Sequence, residues 1–454
     1  MSPTGRGDGS TEAQATELQN ALASENVIAG DTIIMLDGTY TGNYVSTVTG
    51  NALAKIYVKP KNYMAAIIDG YLQIGDFGGI NGAYTRVRNI RCFNSNTNRG
   101  TWATPQGTIS RPPNIFPAAP NVEIINCIYH DGGVGIPAYN EANGLVVYGT
   151  VGFNNGWADD VLGGAQNLYI HSLNKTVKHC VFGGAFKRSV AIYTTNAIIN
   201  GITLEENVVF AKLALLMGGN ATQGQVVSGS LLSNHVVNNG IQLGYDMTPN
   251  IAAICNNNRV WGNNPLTASY FQYLTMNGNK FTGQEVSGNG CFEINYTTEK
   301  QSYAINNNEY HKIGVGTAFH EGAFNGDFAG WQALGHDADG SYSTELPTVN
   351  ELFVYPNEYP DVDDMRMGIV VIWNWEGGAT VAVDLTDLGL EIGTTYRWRQ
   401  AQDPLVDIDT WVCDGNSHTF AMTGHTVALP IGFDEELVPT QFPTFGCFII
   451  EKVV

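Results

Sequence analysis

The sequence predicts an all-β protein: a right-handed parallel β-helix with an N-terminal cap, followed by a smaller antiparallel β-sandwich domain. The first observation is composition: 53 of the 454 residues are glycine, and only 14% are charged. Long helices need lysine, glutamate and arginine on their exposed faces, so this composition favours short strands joined by tight turns. The second is a repeat of short strands up to residue 320, and the third is a change of pattern from residue 350 onward.

Residues 1–28 are predicted to form an N-terminal segment with a short capping helix. Thr16 to Leu22 has an amphipathic pattern that suits one or two helical turns. The end of a β-solenoid exposes an apolar cross-section, so a terminal cover with a polar outer face is expected. Ala29 to Tyr40 then predicts the first strand of the solenoid, because a Gly-Asp turn precedes an apolar run that a Gly-Thr-Tyr turn ends.

Residues 29–320 are predicted to form the coils of the β-helix. Successive equivalent positions differ by 23, 30, 27, 27, 24, 21 and 29 residues, counted through Cys127, Thr150, Cys180, Asn207, Asn234, Asn258, Asn279 and Asn308. A coil of three short strands and three turns has about this length, and a loop can lengthen one turn without disturbing the stack. Asparagines at the same turn of successive coils are expected to form a ladder of amide hydrogen bonds.

Two further segments complete the predicted organisation. Residues 321–349 lack the repeat and are predicted to be a linker or a distorted last coil. Residues 350–454 contain spaced apolar strands, for example Ile369 to Trp375 and Cys447 to Ile450, with turns between them. That pattern is typical of an antiparallel sandwich.

Charge and hydropathy exclude some partners. The net charge of −20 argues against a nucleic-acid partner, because phosphate binding needs a basic face. A run of eighteen apolar residues is absent, so no membrane span is predicted. Met1 to Ser10 has no apolar signal core, so we expect either a removed signal or release by lysis, and an extracellular, secreted or virion location.

Several segments resemble the pectate-lyase-like right-handed parallel β-helix proteins. Ala29 to Tyr40 and Ile67 to Gly70 resemble their opening coils, and Asn154 to Trp157 and Ile198 to Phe210 resemble a subgroup of β-helix repeat proteins. Val370 to Asp403 resembles the small β domain that follows the helix in that subgroup. Members include polysaccharide lyases, glycoside hydrolases, phage tailspikes and non-enzymatic surface proteins. The resemblance implies a polysaccharide or cell-surface glycan as partner and leaves the activity open.

A lyase of this kind needs a base and a cation that neutralises the uronate carboxylate. Lys187 and Arg188 are the candidates for these roles. Adjacent strand residues point to opposite faces, so the two can share a site only on a turn, which Gly183 and Gly184 before them allow. Solvated charges on a corner of the fold are the alternative interpretation.

A hydrolase would need two carboxylates instead. Trp157 followed by Asp159 and Asp160 is the best candidate, because an aromatic platform beside two acids suits a sugar ring. Asp131 is a candidate third acid, or else a turn residue. The polygalacturonase-like motifs Asn-Thr-Asp, Gly-His-Gly and Arg-Ile-Lys are absent, so the resemblance does not assign a hydrolase.

Substrate contacts are predicted on three further residues. Arg99 and Trp102 begin a proline-rich insertion that reaches about residue 120, and a long loop between coils is a natural cleft wall. Tyr193 is a further aromatic candidate for holding a sugar ring. No cofactor is assigned and no metal-ligand set is predicted; Ca²⁺ stays a hypothesis, because the acid-rich segments match no EF-hand loop.

Three functions remain from the sequence. The first is an enzyme that binds and cleaves a polysaccharide. The second is a non-catalytic adhesive module that binds glycans through aromatic side chains. The third is a virion structural or decoration protein, for which a homotrimer is expected, whereas a secreted enzyme of this size is expected to be a monomer.

Overall fold

The structure, a computed structural model, describes residues 1–99, 111–158, 165–220, 224–246, 248–283, 292–295, 300–314, 316–359, 365–415 and 417–453. Over these residues the chain forms a parallel β-solenoid followed by a small antiparallel domain, which confirms the predicted fold class. Its α-helices are short: α1 spans Leu18–Leu22 and α2 spans Phe328–Ala333. In the described part of the chain no helix is long and apolar enough to cross a membrane.

Three sheets, which we call A, B and C, form the walls of the solenoid. Sheet A contains Thr32–Met35, Ile56–Pro60, Thr85–Arg88, Glu123–Ile125, Leu145–Tyr148, Leu173–Lys178, Ile198–Glu205, Gln225–Val226, Ser228–Leu232, Asn250–Asn256, Phe271–Asn277 and Ser302–Asn306. Sheet B contains Gly38–Ser46, Ala66–Ile74, Arg91–Phe93, Ile115–Pro117, Ile128–His130, Val151–Phe153, Val181–Phe182, Val208–Phe210, His235–Asn238, Arg259–Gly262, Lys280–Gly283, Glu309–Lys312 and Ser341–Ser343.

Sheet C begins later in the chain and forms the third wall. It contains Ile136–Ala138, Gln166–Ile170, Arg188–Thr194, Leu215–Gly219, Ile241–Leu243, Leu266–Ser269, Phe292–Asn295, Phe319–Glu321 and Phe324–Gly326. All neighbours pair in parallel except the last two strands, which pair antiparallel. From Glu123–Ile125 onward, each coil passes through A, B and C in turn. Residues in equivalent positions of successive coils lie one strand spacing apart, about 4.8 Å.

A continuous apolar core fills the solenoid because inward positions stay in register from coil to coil. In sheet A, Val177 pairs with Leu204, which pairs with Leu231, which pairs with Cys255, and all four are buried. Outward positions alternate with them and carry polar or larger side chains. The core therefore runs along the length of the solenoid as one cluster.

The predicted asparagine ladder lies at the corner between sheets A and B. Side-chain amide bonds of 2.8–3.1 Å join consecutive members, in the order Asn207, Asn234, Asn258, Asn279 and Asn308. The ladder ends on the Asp337 carboxylate, which accepts from the Asn308 amide at 2.8 Å and from the Tyr310 hydroxyl at 2.7 Å. Each of these five side-chain amides is thus hydrogen-bonded to its neighbour, which stabilises the turn of each of these coils.

Both ends of the solenoid are covered. Helix α1 places Leu18, Ala21 and Leu22 in the apolar core at the N-terminal end. At the other end, residues 321–349 contain α2 and the strand Ser341–Ser343, which extends sheet B by pairing with Glu309–Lys312. Trp331 of α2 is buried on the last coil, so this segment closes the core.

The C-terminal domain is built on a five-stranded antiparallel sheet, here the terminal sheet. Its strands, in spatial order, are Glu351–Pro356, Arg366–Trp373, Phe445–Lys452, Thr395–Gln400 and Ile408–Val412. One face is covered by a two-stranded antiparallel sheet of Thr380–Asp384 and Ser417–Ala421, and a 3₁₀ turn spans Thr386–Leu388. The other face packs on the outer face of sheet B, where Val151, Val181 and Val208 meet Ile369 and Val371. The predicted antiparallel domain is confirmed, and it is docked on one wall of the solenoid.

Candidate functional site

The outer face of sheet C carries a row of rings that crosses successive coils. We call it the aromatic strip, and its members are Tyr139, Tyr169, His171, Tyr193 and Tyr245, with Phe116 from the sheet B strand Ile115–Pro117 at one end. Ring centroids are 5.7 Å apart between Phe116 and Tyr139, 5.8 Å between Tyr139 and Tyr169, and 5.2 Å between Tyr193 and Tyr245. Phe116 is buried at one end, and the other rings are half-buried. The strip therefore presents a run of ring surfaces along the axis of the solenoid.

Strand alternation places these rings on the outside. In Gln166–Ile170 and Arg188–Thr194, Leu168, Val190 and Ile192 point into the core and are fully buried. The alternate residues Tyr169 and Tyr193 therefore point outward. Parallel register aligns Tyr169 with Ala191 and Tyr193 with Gly218, so small neighbours leave room beside each ring.

His171 belongs to the strip and is held in place through both ring nitrogens. Nδ1 lies 2.9 Å from the Asn140 Oδ1, and Nε2 lies 2.8 Å from the Thr194 Oγ1. The Thr194 oxygen already accepts from the Ala197 N–H at 2.9 Å, so its own proton is directed to Nε2. Burial, with the nearby Lys175 charge, lowers the pKa of His171, so a neutral ring is favoured.

Lys175 lies beneath the border of the strip and was not predicted. Its Nζ donates to the carbonyls of His171 at 2.7 Å and Leu173 at 3.0 Å, at the turn between sheets C and A. Burial lowers the pKa of Lys175 to about 7, and the opposing influence of Glu141 is smaller. The sequence signal was a lysine at an inward position, since Lys175 is in register with the buried side chains of Leu145 and Ile202.

Three predicted residues, Lys187, Arg188 and Tyr193, lie on one strand or in the turn before it. The Arg188 guanidinium donates to the Ala214 carbonyl at 2.6 Å and to the Gln242 Oε1 at 3.0 Å. Burial lowers the pKa of Arg188, and the neighbouring Tyr245 opposes that change. Lys187 is half-buried in the preceding turn. Of the predicted basic pair, Arg188 thus lies at the border of the strip, near Tyr245.

The other predicted charged residues, Arg99 and Asp131, form a buried ion pair. They are 4% and 2% exposed, and the Arg99 guanidinium is bonded to the Asp131 carboxylate. Asp131 also accepts from the Ile431 N–H at 2.8 Å, and Arg99 donates to the Ile431 carbonyl at 2.7 Å. Asp131 has a φ of 58°, a left-handed turn conformation. The pair joins the solenoid to a segment of the C-terminal domain, so we do not carry it into the proposed site.

Trp157 is also covered. Its ring is 2% exposed and packs in a cluster with Ala165, Phe186 and Leu437. The structure does not present this ring as a sugar platform, because Leu437 of the C-terminal domain lies in the same cluster. Asp159, Asp160 and Trp102, the remaining predicted site residues, lie outside the described residues.

Comparison with protein-family models found no match, and no curated protein matches. Among solved structures, similarity is found to a mannuronic acid specific polysaccharide family 6 lyase from human gut microbiota, which is 14% identical with a TM-score of 0.36 over 67% of this chain and 79% of that chain. Two others are the A-modules of the Azotobacter vinelandii mannuronan C-5 epimerases AlgE6 and AlgE4. These are 13% and 11% identical with TM-scores of 0.38, and cover 73% and 76% of this chain and 94% and 98% of theirs. At this level the likeness concerns the course of the backbone alone.

Proposed function

We propose that this protein binds a polysaccharide along the aromatic strip, outside cells or as part of a virion. The supporting observation is the row of half-buried rings on sheet C, spaced 5.2–5.8 Å where neighbours meet. Aromatic faces are broad apolar surfaces on which the C–H face of a sugar ring can pack. Coils repeat at about 4.8 Å, so a polymer extended along the strip can meet a ring in each coil from Tyr139 to Tyr245 except that of Leu215–Gly219, where Gly218 pairs with Tyr193.

Polar groups along the strip add hydrogen bonds and charge. Burial raises the pKa values of Tyr139, Tyr169 and Tyr193, so all three keep their phenol protons at neutral pH. Phenol hydroxyls donate and accept, as sugar hydroxyls do. Arg188 places positive charge at the border, which suits an acidic sugar.

The hydrogen bonds of the titratable groups in and beneath the strip favour binding over cleavage. A general base must reach the proton that it takes. Both nitrogens of His171 are already hydrogen-bonded, and the Lys175 ammonium is buried against two carbonyls. We therefore propose a binding role for the described residues, and cleavage is a separate outcome of the test below.

The test is affinity gel electrophoresis of the whole chain against a panel of acidic and neutral polysaccharides. We expect retardation by at least one polymer, and an affinity roughly tenfold lower for Tyr169→Ala and Tyr193→Ala. Tyr44→Ala is the matched control, because this half-buried tyrosine lies in the strand Gly38–Ser46 of sheet B, outside the aromatic strip and outside the outer face of sheet A. No retardation by any polymer, or full affinity in both strip variants, would overturn the proposal. Release of reducing or unsaturated ends that Tyr169→Ala abolishes would extend it to cleavage.

We also propose that the chain forms a homotrimer through the outer face of sheet A. Four consecutive strands, Ser228–Leu232, Asn250–Asn256, Phe271–Asn277 and Ser302–Asn306, contain no charged residue in a chain of net charge −20. Copies can meet on this surface without charge repulsion. Light scattering should give three times the monomer mass of 49.0 kDa, and Ile254→Asp, on the outer face, should return the monomer. A monomer at every concentration contradicts the proposal.

A further inference from the structure

Three metal-ligating side chains converge at the seam between the solenoid and the C-terminal domain. They are His179, Glu206 and Glu358, and their ligand atoms all lie within 4.8 Å of one another. The first two occupy the same turn in successive coils, since the preceding residues Lys178 and Glu205 are paired in sheet A. Glu358 reaches them from the segment that follows the strand Glu351–Pro356 of the terminal sheet.

The cluster carries more negative than positive charge, as its contacts show. His179 is buried, and its Nε2 lies 2.6 Å from the Glu206 Oε2. The Lys178 ammonium lies 2.9 Å from the Glu358 carboxylate, 3.4 Å from that of Glu206 and 3.5 Å from that of Glu205. One lysine therefore faces three carboxylates, and the group as a whole keeps an excess of negative charge.

The second nitrogen of His179 is held by a hydroxyl. Nδ1 lies 2.8 Å from the Tyr148 oxygen, which also accepts from the Glu358 N–H at 2.6 Å. The same hydroxyl lies 3.4 Å from the Pro356 carbonyl. A hydrogen-bonded second nitrogen of this kind orients a histidine that ligates a metal through the other one.

We propose that this cluster binds a divalent transition metal, with Zn²⁺ as the best fit. The ligands would be the His179 Nε2 and one carboxylate oxygen from each of Glu206 and Glu358, with Lys178 displaced to solvent. One imidazole and two carboxylates form a zinc ligand set that keeps a fourth position for water. Ca²⁺ fits less well, because it takes six to eight oxygen ligands. The metal would tie the C-terminal domain to the solenoid.

The number of protons in this site does not have to change on metal binding. Without metal, the contacts fit an imidazole proton on the His179 Nε2, directed to Glu206, and a Tyr148 hydroxyl that donates to Nδ1. On binding, solvent water would take the proton from Nε2 and return one to Nδ1, which would donate it to the Tyr148 oxygen. The Tyr148 proton then turns to the Pro356 carbonyl, and Nε2 is left with a free lone pair for the metal. The Lys178 ammonium leaves in its protonated form, so no net proton is released.

Isothermal titration calorimetry with Zn²⁺ on the chelator-treated whole chain tests the site. We expect one Zn²⁺ per chain, lost or weakened by more than about tenfold in both His179→Gln and Glu358→Gln. Lys178→Met should bind several-fold more tightly, because the competing ammonium is gone. His425→Gln is the matched control: His425 also pairs with a carboxylate, that of Asp407 at 2.8 Å, but belongs to no three-ligand group among the described residues.

Glu358→Gln keeps the test valid if the buried His179 variant fails to fold, since the Glu358 side chain is 47% exposed. Its urea midpoint in chelator should equal that of the wild type. The proposal is overturned if the wild type binds no Zn²⁺, if Glu358→Gln retains full affinity, or if Ca²⁺ binds in preference. Polysaccharide binding is measured separately on sheet C, so the two proposals fail independently.

Discussion

Sheets B and C both carry aromatic side chains on their outer faces. The C-terminal domain packs on those of sheet B, whereas those of sheet C stay partly exposed. On sheet B, Phe210 packs on Phe445 at 5.7 Å and Trp261 on Trp375 at 5.9 Å, both from the C-terminal domain. On sheet C, Tyr169 and Tyr193 contact other members of the strip and keep part of their surface exposed. Outward rings on sheet B are thus explained by the fold. Those on sheet C are not, which is why we assign them to a ligand.

The largest expected effect on stability comes from a substitution in the contact between sheet B and the terminal sheet. Trp373 is 1% exposed, lies 4.7 Å from the Phe445 ring, and donates to the His235 Nδ1 at 3.0 Å. Trp373→Ala should lower the free energy of unfolding by about 3–5 kcal/mol, because it leaves a cavity and an unpaired acceptor. Urea denaturation measures this loss. A loss below about 1 kcal/mol would mean that the two domains are energetically independent.

A second prediction concerns the pH dependence of stability, which depends on His235 in the same contact between sheet B and the terminal sheet. Burial, with a smaller contribution from Arg259, lowers the pKa of His235 to about 3. The unfolded value is about 6.5, so between these values the unfolded chain binds the extra proton. The contribution of a neutral His235 is complete above pH 6.5 and declines as the pH falls towards 3. At pH 5 the loss should be about 2 kcal/mol.

The check is the pH dependence of the unfolding free energy in wild type and His235→Gln. Other histidines titrate in both proteins, so the difference between the two slopes isolates His235. We expect the variant to be less stable at pH 7 but to lose less stability between pH 6.5 and pH 5. Equal slopes would contradict a neutral buried His235.

The solenoid could be predicted from the sequence because its inner corner repeats. Asn207 to Asn308 recur once in each coil, since each amide bonds to the next, and this requirement is visible as a period. The aromatic strip has no such period. Tyr139, Tyr169 and Tyr245 come from turns and strands of different lengths, and only the register of sheet C aligns them. Tyr193 alone was predicted among the tyrosines of the strip.

The burial of three candidate residues could not be predicted, for a different physical reason. In the local sequence, Arg99, Asp131 and Trp157 have the residue types of a polar and aromatic cleft. Ile431 and Leu437, which cover them, come from the C-terminal domain, about three hundred residues later for Asp131. Local patterns show which residue types are present. Whether those residues are accessible depends on contacts with residues far away in the sequence, such as Ile431 and Leu437.

A smaller effect, of opposite sign, is expected beneath the strip. Lys175 is 1% exposed, and its pKa is lowered from 10.5 to about 7, so the unfolded chain binds the extra proton between these values. Its contribution to stability is complete above pH 10.5 and falls as the pH drops to 7. Lys175→Met keeps the aliphatic stem and should raise the free energy of unfolding by about 1–2 kcal/mol at pH 6.

That gain should shrink as the pH rises to 9, because the wild-type lysine is then neutral when folded. Thermal unfolding at the two pH values measures both quantities, and Lys212→Met, at an exposed lysine, is the surface control. A gain that does not change with pH would show that Lys175 costs no desolvation. The expected gain in the free energy of unfolding would show that Lys175 destabilises the fold at pH 6. The chain would then keep a lysine beneath the strip that its stability does not require.

The smallest effect on stability is expected for Tyr169→Ala, and this substitution best distinguishes the outer face of sheet C from that of sheet B. Tyr169→Ala removes a half-buried ring that the described residues of the C-terminal domain do not cover, so the free energy of unfolding should fall by less than about 1 kcal/mol. The same change should lower polysaccharide affinity by about tenfold. Trp373→Ala predicts the reverse pattern: a large loss of stability and unchanged affinity under conditions where the variant is folded. Measuring both quantities on both variants decides the matter, because a ring that serves the fold cannot be removed at so small a cost. If Tyr169→Ala destabilises the chain as strongly as Trp373→Ala, the strip is part of the packing and the assignment of sheet C to a ligand fails.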